Sequence, residues 1–245
     1  MKSLRIKLAI AYRLCALKGW DNWTYTHISA RLPGQQTFLI NQFDTLYKDV
    51  TPQSLALVDM TLPPEGYFDT LNPTGVHMHS AIYKNHPDIN AIFHLHTSHG
   101  VAVSAMECGL MPISQFALHF HNRVSTHGYD SLVLDEKKKA EQLARDLGAN
   151  HTMFLQNHGT ITTGKTIEEA FFFTHHLEEA CRVQCLTLSC NTPYISPSPD
   201  ICQKASDDLL SFEKKLGERD WKAAQTLIPQ EIQNDWNEWI ANARN

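Results

Sequence analysis

Phe93-His94-Leu95-His96 places two imidazoles on alternate positions of a β-branched, largely apolar stretch over 89–96. Extended backbone has a side-chain period of two, so both rings project to one face, close enough to bind one ion. A third imidazole, His158, stands at the turn of MFLQNHGTITTG, where Gly159 permits a tight bend that can aim the ring inward. Three neutral imidazoles and an open position are the ligand count of a catalytic zinc site, in which the ion polarises a carbonyl or activates a water. The same spacing suits hydrogen-bonded or surface histidines, so the pattern alone leaves both readings open. Cys181 and Cys185 share a helical face and invite a metal reading too, but free cysteines at that spacing serve more simply as small buried hydrophobes.

These side chains need elements to hold them. The residues over 1–19 read as an amphipathic helix carrying Leu8, Ala9, Tyr12, Leu14 and Leu17. Strands are expected over 24–31, 37–41, 55–60 and 89–96. Asn72-Pro73-Thr74 is a helix entry, with the helix running to about Asn85 before His86-Pro87 stops it. Further helices are expected from Thr97 or Ser98 to near Gly109, over 135–147 and over 166–189, with two short strands within 152–163. The stretch 191–200, NTPYISPSPD, reads as a linker, and the rest as helical with a break at Pro229. The pattern gives an α/β domain over 1–190 and a linker with a helical extension over 191–245. Trp221, Trp236 and Trp239 are expected to dock that extension onto its own domain, with a subunit contact as the alternative. The FFF run at 171–173 reads as core.

Composition narrows the function classes. The chain has 245 residues, 42% hydrophobic and 19% charged, which excludes a disordered chain, a collagen and a membrane bundle. Lys and Arg number 21 against 26 Asp and Glu, a net charge of −5, so nucleic-acid binding by bulk electrostatics is not expected. No apolar run is long enough to span a bilayer. Arg13 and Lys18 interrupt the N-terminal apolar stretch, which argues against a secretory signal. The 6 cysteines lack the dense spacing of a secreted disulfide framework, so a reducing cytoplasm is the expected setting. The anomaly is 14 histidines in a chain otherwise of ordinary composition.

Several segments in order carry a resemblance: YTHISAR at 25–31, FLIN at 38–41, NPTGVHMHSAIY at 72–83, HPDINAIFHLHTSHGVAVSAMECGLMPIS at 86–114 and FLQNHGTITTGKTIEEAFFFTHHLEEACRVQ at 154–184. Together they resemble the class II aldolase/adducin family over residues 5–190, and within it the adducin head domain. The resemblance implies a three-layer α/β/α fold on a largely antiparallel sheet, a homotetramer with sites near subunit interfaces, and a zinc or other divalent ion. It sets His94 and His96 on the family's HxH ligands and His158 on the third. The family's sugar-phosphate aldolases polarise substrate oxygens with zinc while a Glu moves the proton.

The chain departs from those aldolases. Gly75 stands where the resemblance would set the Glu, four residues before His79. The phosphate-binding serines fall on Pro73 and Thr74, and the Gly-Asn pair of the other phosphate loop falls on Thr26 and His27, although Ser29 is kept. Ser29, Thr74 and His27 are the candidate substrate contacts, His27 suiting a carboxylate rather than a phosphate. Tyr129 and Asp130 are candidate proton donor and acceptor. His77 and His79 diverge by about 200° on a helix, so at most one faces the site. His77, His79, His119, His121 and His127 otherwise read as packing or surface residues, and His99 as a hydrogen-bonding neighbour.

Two functions follow. One is a metal-dependent carbon–carbon lyase or isomerase acting on a small hydroxy-carbonyl compound. The alternative is a non-catalytic binding or structural module like the adducin head, which Gly75 favours. The tail over 201–245 carries no Lys-rich cluster, so a cytoskeletal partner is not expected.

Overall fold

The computed structural model describes residues 1–130 and 137–242. Its strands are β1 (His27–Arg31), β2 (Thr37–Ile40), β3 (Ala56–Asp59), β4 (Ala91–Leu95), β5 (Val124–His127), β6 (Thr152–Leu155) and β7 (Gly159–Gly164). Its α-helices are α1 (Lys2–Leu17), α2 (Pro73–Asn85), α3 (Ser98–Ser104), α4 (Gln115–Leu118), α5 (Lys137–Leu147), α6 (Ile167–Ser189), α7 (Pro199–Ser211), α8 (Glu218–Ala224) and α9 (Gln230–Asn242). The strands form one sheet in the order β3-β2-β1-β4-β7-β6-β5, antiparallel at every pairing except β5 with β6. This is the expected α/β architecture on a largely antiparallel sheet.

Alternation along the strands sorts side chains between two helical layers. Ile28 and Ala30 of β1, Leu39 of β2 and Ala91, Phe93 and Leu95 of β4 share a core with α1 and α6. Phe38, Ile40, Ile92 and Ile161 point the other way, into a core with α2 and α5. His27, Ser29 and His94 fall in the second phase and so face α2. A third cluster joins Val103 and Phe154 to Phe172, Phe173 and Leu177 of α6, placing part of the FFF run in the core as expected.

Several boundaries differ from the sequence expectation. β1 starts at His27 rather than at 24, because Trp23 takes a left-handed φ of 52° and a turn closes from Asn22 O to Tyr25 N. β4 stops one residue short of His96. α3 ends at Ser104 rather than near Gly109, since Ala105, Met106 and Gly109 donate three residues back in successive turns, the last closed by Gly109 at a left-handed φ of 59°. Strand β5 and helix α4 lie outside the sequence expectation; they are short, and the pattern of VSTH lacks apolar alternation. The expected start of α5 at 135 lies outside the described residues.

The C-terminal helices dock on the same chain. Trp221 meets Phe171 edge to face at 5.5 Å, and the Arg13 guanidinium lies 5.1 Å above Trp236; both indoles are buried, whereas Trp239 is half-buried. Among the described residues, no helix is long and apolar enough to cross a membrane.

The Tyr12 hydroxyl fixes α1 to the sheet where β1 and β2 part. Ile28 and Asn41 would form the next rung of that pair, and instead both backbone N–H groups donate to Tyr12 Oη at 3.0 Å. The hydroxyl in turn faces Ile28 O and Asn41 Oδ1 as acceptors. Tyr12→Phe leaves two buried donors unpaired, so it should cost about 3 kcal/mol in urea unfolding. A loss below about 0.5 kcal/mol would remove this hydroxyl from the fold's supports.

Candidate metal centre

His94 sits in β4, His96 one residue past its end, and His158 in the turn between β6 and β7. The β4–β7 pairing sets His94 opposite Ile161 and Leu95 opposite Thr160, which carries the hairpin turn to the end of β4. Asn157 turns the chain with a left-handed φ of 57°. A Cβ on Gly159 would lie 2.5 Å from Leu95 O and 2.9 Å from His96 Cδ2, so only glycine lets the turn close on the two histidines.

The result is convergence of three ring nitrogens. His96 Nε2 lies 3.0 Å from Nε2 of His94 and 2.9 Å from Nε2 of His158. Among the described residues these three form the group of His, Cys, Asp or Glu side chains whose ligand atoms gather closely enough to hold a metal ion. Nδ1 of His94 lies 3.1 Å from Thr160 O, to which it donates, so Nε2 is left as a lone pair. Asn22 Nδ2 lies 3.1 Å from Nδ1 of His96, to which it donates; exchanging the oxygen and nitrogen of that amide would let it accept the Nδ1 hydrogen instead and free Nε2. Burial, reinforced by the neighbouring rings, pushes His94 well below the ordinary imidazole range and His96 down to about 4. Burial also lowers His158, against the pull of Asp130. Neutral, nitrogen-only and aimed at one point, the three side chains fit a zinc-type divalent ion.

Against the α2 side of this cluster lies a second buried set. His27 is paired with His94 across β1 and β4, with ring centroids 4.8 Å apart. Its Nδ1 is 2.8 Å from Nε2 of His79, whose Nδ1 meets Ser29 Oγ, and Ser29 Oγ is 2.8 Å from the Tyr83 hydroxyl. Burial drives His27 well below its ordinary value and His79 to about 3. Of the pair His77 and His79, then, His79 turns to the sheet while His77 lines the cleft beside His158. The Ser29 hydroxyl is engaged by His79 and Tyr83, away from solvent.

Thr74, His77, Met78, His127, Tyr129, Asp130 and His158 line one cleft. Tyr129 is exposed, and Asp130 Oδ2 lies 3.7 Å from Nε2 of His127. His127, read from the sequence as a packing or surface residue, is buried: its Nδ1 donates to Asp146 Oδ2 at 2.6 Å while its Nε2 side faces Asp130 in the cleft. His127 and Asp146 come from β5 and α5, and no local spacing links them. His99 behaves as expected: its Nδ1 bonds Glu178 Oε1 at 2.8 Å, and Glu178 also accepts from Gly100 N at 3.1 Å, which ties α3 to α6. Cys181 is a buried free thiol whose pKa burial raises, in keeping with its hydrophobic reading.

Known proteins share this sequence pattern and fold. The sequence profile described as the Class II Aldolase and Adducin N-terminal domain matches residues 6–185. Alpha-adducin of Rattus norvegicus is 42% identical over 193 residues, covering 77% of this chain and 26% of its own length. The crystal structure of an aldolase II superfamily protein from Pseudomonas syringae superposes with a TM-score of 0.84 at 38% identity, covering 96% of this chain and 93% of that one. The L-fuculose 1-phosphate aldolase from Glaciozyma antarctica PI12 superposes with a TM-score of 0.78 at 25% identity, covering 97% and 91%.

The buried rings make the metal-free fold sensitive to acid. His27, His79, His94 and His96 each have a folded-state pKa below the unfolded value of about 6.5, so the unfolded chain binds more protons as the pH falls. Stability should be complete above about pH 6.5 and decline progressively toward about pH 3. Urea midpoints of chelator-treated protein across that range measure it; a midpoint that stays flat or rises on acidification would contradict a neutral cluster.

Proposed function

Because the chain belongs to the class II aldolase and adducin family, we propose that it is a metal-dependent lyase or isomerase acting on a small, non-phosphorylated hydroxy-carbonyl compound. The convergence of the ring nitrogens of His94, His96 and His158, all within 4.8 Å of one another and with His96 Nε2 in hydrogen-bond distance of the other two, carries this reading. Zinc or another divalent ion held there would act as a Lewis acid toward a substrate carbonyl.

The remaining chemistry belongs to the cleft. His127 holds its proton relay in order: Asp146 fixes the Nδ1–H tautomer, which leaves Nε2 as the atom that takes up and returns a proton. Asp130 and Tyr129 stand beside it as further polar contacts, and Thr74 as the hydroxyl nearest the entrance of α2. Pro73, Thr26 and His27 replace groups that would cradle a phosphate, which is why the proposed substrate is not a phosphate ester. A homo-oligomer, a tetramer by family example, and a cytoplasmic location belong to the same proposal. So does the division into a family domain over 1–190 and a linker with a helical extension over 191–245.

A second reading keeps the fold and ion but not catalysis. Gly75 in place of a carboxylate and the 42% identity to alpha-adducin support a binding module. This chain matches about a quarter of that protein, so any partner of the whole adducin is a separate proposal, and the tail over 201–245 gives no reason to expect a cytoskeletal one.

Two measurements decide between them. Protein purified without added metal should carry about one equivalent of a divalent ion by elemental analysis, and His94→Ala should lose it on dialysis. Metal-free protein, with His94→Ala indistinguishable from it, overturns the metal reading. In a screen of aldol cleavage over non-phosphorylated hydroxy-carbonyl compounds, His127→Asn should lower turnover by roughly 10²–10⁴-fold with metal content unchanged. Stoichiometric metal without turnover of any compound favours the binding module.

A further inference from the structure

His27 ends a buried chain of hydrogen bonds that has one loose end. Tyr83 Oη meets Ser29 Oγ, Ser29 Oγ meets Nδ1 of His79, and Nε2 of His79 meets Nδ1 of His27. The four side chains are at most 1% exposed. Nε2 of His27 is also buried and has no hydrogen-bond partner. The ring rests against Gly75, where a Cβ would stand 3.0 Å from Cδ2 and 3.3 Å from Nε2. A side chain at position 75 would crowd the imidazole that occupies this room.

Proton order along the chain decides what Nε2 offers. In one order Tyr83 donates to Ser29, Ser29 to Nδ1 of His79, and Nε2–H of His79 to Nδ1 of His27. That leaves a single unpaired group, the Nε2–H of His27. In the reverse order Nε2 of His27 is an unpaired acceptor, and the Tyr83 hydroxyl hydrogen also lacks an acceptor among the described residues. The first order strands fewer buried polar groups and is favoured. A buried N–H without an acceptor, beside His94 on the same face of the sheet, calls for a ligand that supplies one.

We propose that His27 donates its Nε2 hydrogen to an oxygen of the small molecule bound at the three-histidine centre. Three histidines then serve the ion and the fourth serves the ion's ligand. An oxygen that gains negative charge, as in a carbonyl compound or a hydroxamate, suits this donor best. The inference rests on the metal-centre reading above.

The test uses the full chain, Co²⁺ and acetohydroxamate, a small two-oxygen chelator. Long-range nitrogen–proton spectra of the unaltered protein at neutral pH should show His27 protonated at Nε2 and accepting at Nδ1, its signals assigned by their absence in His27→Phe. A His27 protonated at Nδ1 alone overturns the proposal. With Co²⁺ bound, visible absorption titrations should give a dissociation constant for acetohydroxamate about tenfold weaker in His27→Phe, with Co²⁺ affinity within about twofold. Unchanged acetohydroxamate affinity sinks the role of His27 while leaving the centre intact. Failure of the unaltered chain to take up Co²⁺ removes the centre itself, and the proposal with it. If the variant does not fold, sequential resonance assignment of the unaltered chain identifies the His27 signals, and its protonated nitrogen decides the matter.

Discussion

The carbonyl of Thr160 facing Nδ1 of His94 is the contact on which the candidate centre depends. It exists because β4 and β7 pair antiparallel with His94 opposite Ile161, and it decides which nitrogen of His94 is bare. The same register brings the β6–β7 turn up to the end of β4, where a side chain on residue 159 would collide with the Leu95 carbonyl. Shifting the pairing by one residue would send His94 to the α1 face and detach His158 from it. The strands around it thus do more than fill a core. They set three neutral rings at one point and leave them no freedom to separate.

Neutrality is the second constraint, and it explains the surroundings. Three imidazole nitrogens within 4.8 Å of one another resist protonation together, and burial lowers the basicity of each, with His27 and His79 adding to the effect at His94. The influence that raises His158 comes from Asp130, on the solvent side of the cleft. Acidic groups therefore stand at the wall and not in the floor. Asp146 is engaged by His127 and Gln142, so its charge is committed to orienting an imidazole rather than to competing for the ion.

How far the sequence reached depends on whether an interaction was local. HxH within a strand and a histidine beside a glycine in a turn are patterns of backbone period and bend, and the structure brings those three rings together. His79 with His27, Asn22 with His96 and Asp146 with His127 are pairings between different elements, and nothing in residue spacing marks them. Gly75 illustrates the limit best. Read along the chain it is a missing carboxylate; in three dimensions it lies against the ring of His27, so two departures far apart in sequence are neighbours in space. The three-layer fold and its family followed from segments in order, whereas β5 has no apolar alternation to mark it, although it carries His127.

The division of labour between elements bears on how such a site can change its chemistry. The three convergent rings come from β4 and its end and from the β6–β7 turn. The groups placed to handle protons or to bind a ligand come from β1, α2, β5 and α5. His27 meets His94 through a ring contact, while its hydrogen bond runs to His79 on α2 and not to the convergent nitrogens. The consequence is asymmetric: the three convergent histidines are fixed by backbone pairing, whereas the side chains that line the cleft stand on separate elements and are held there by side-chain contacts.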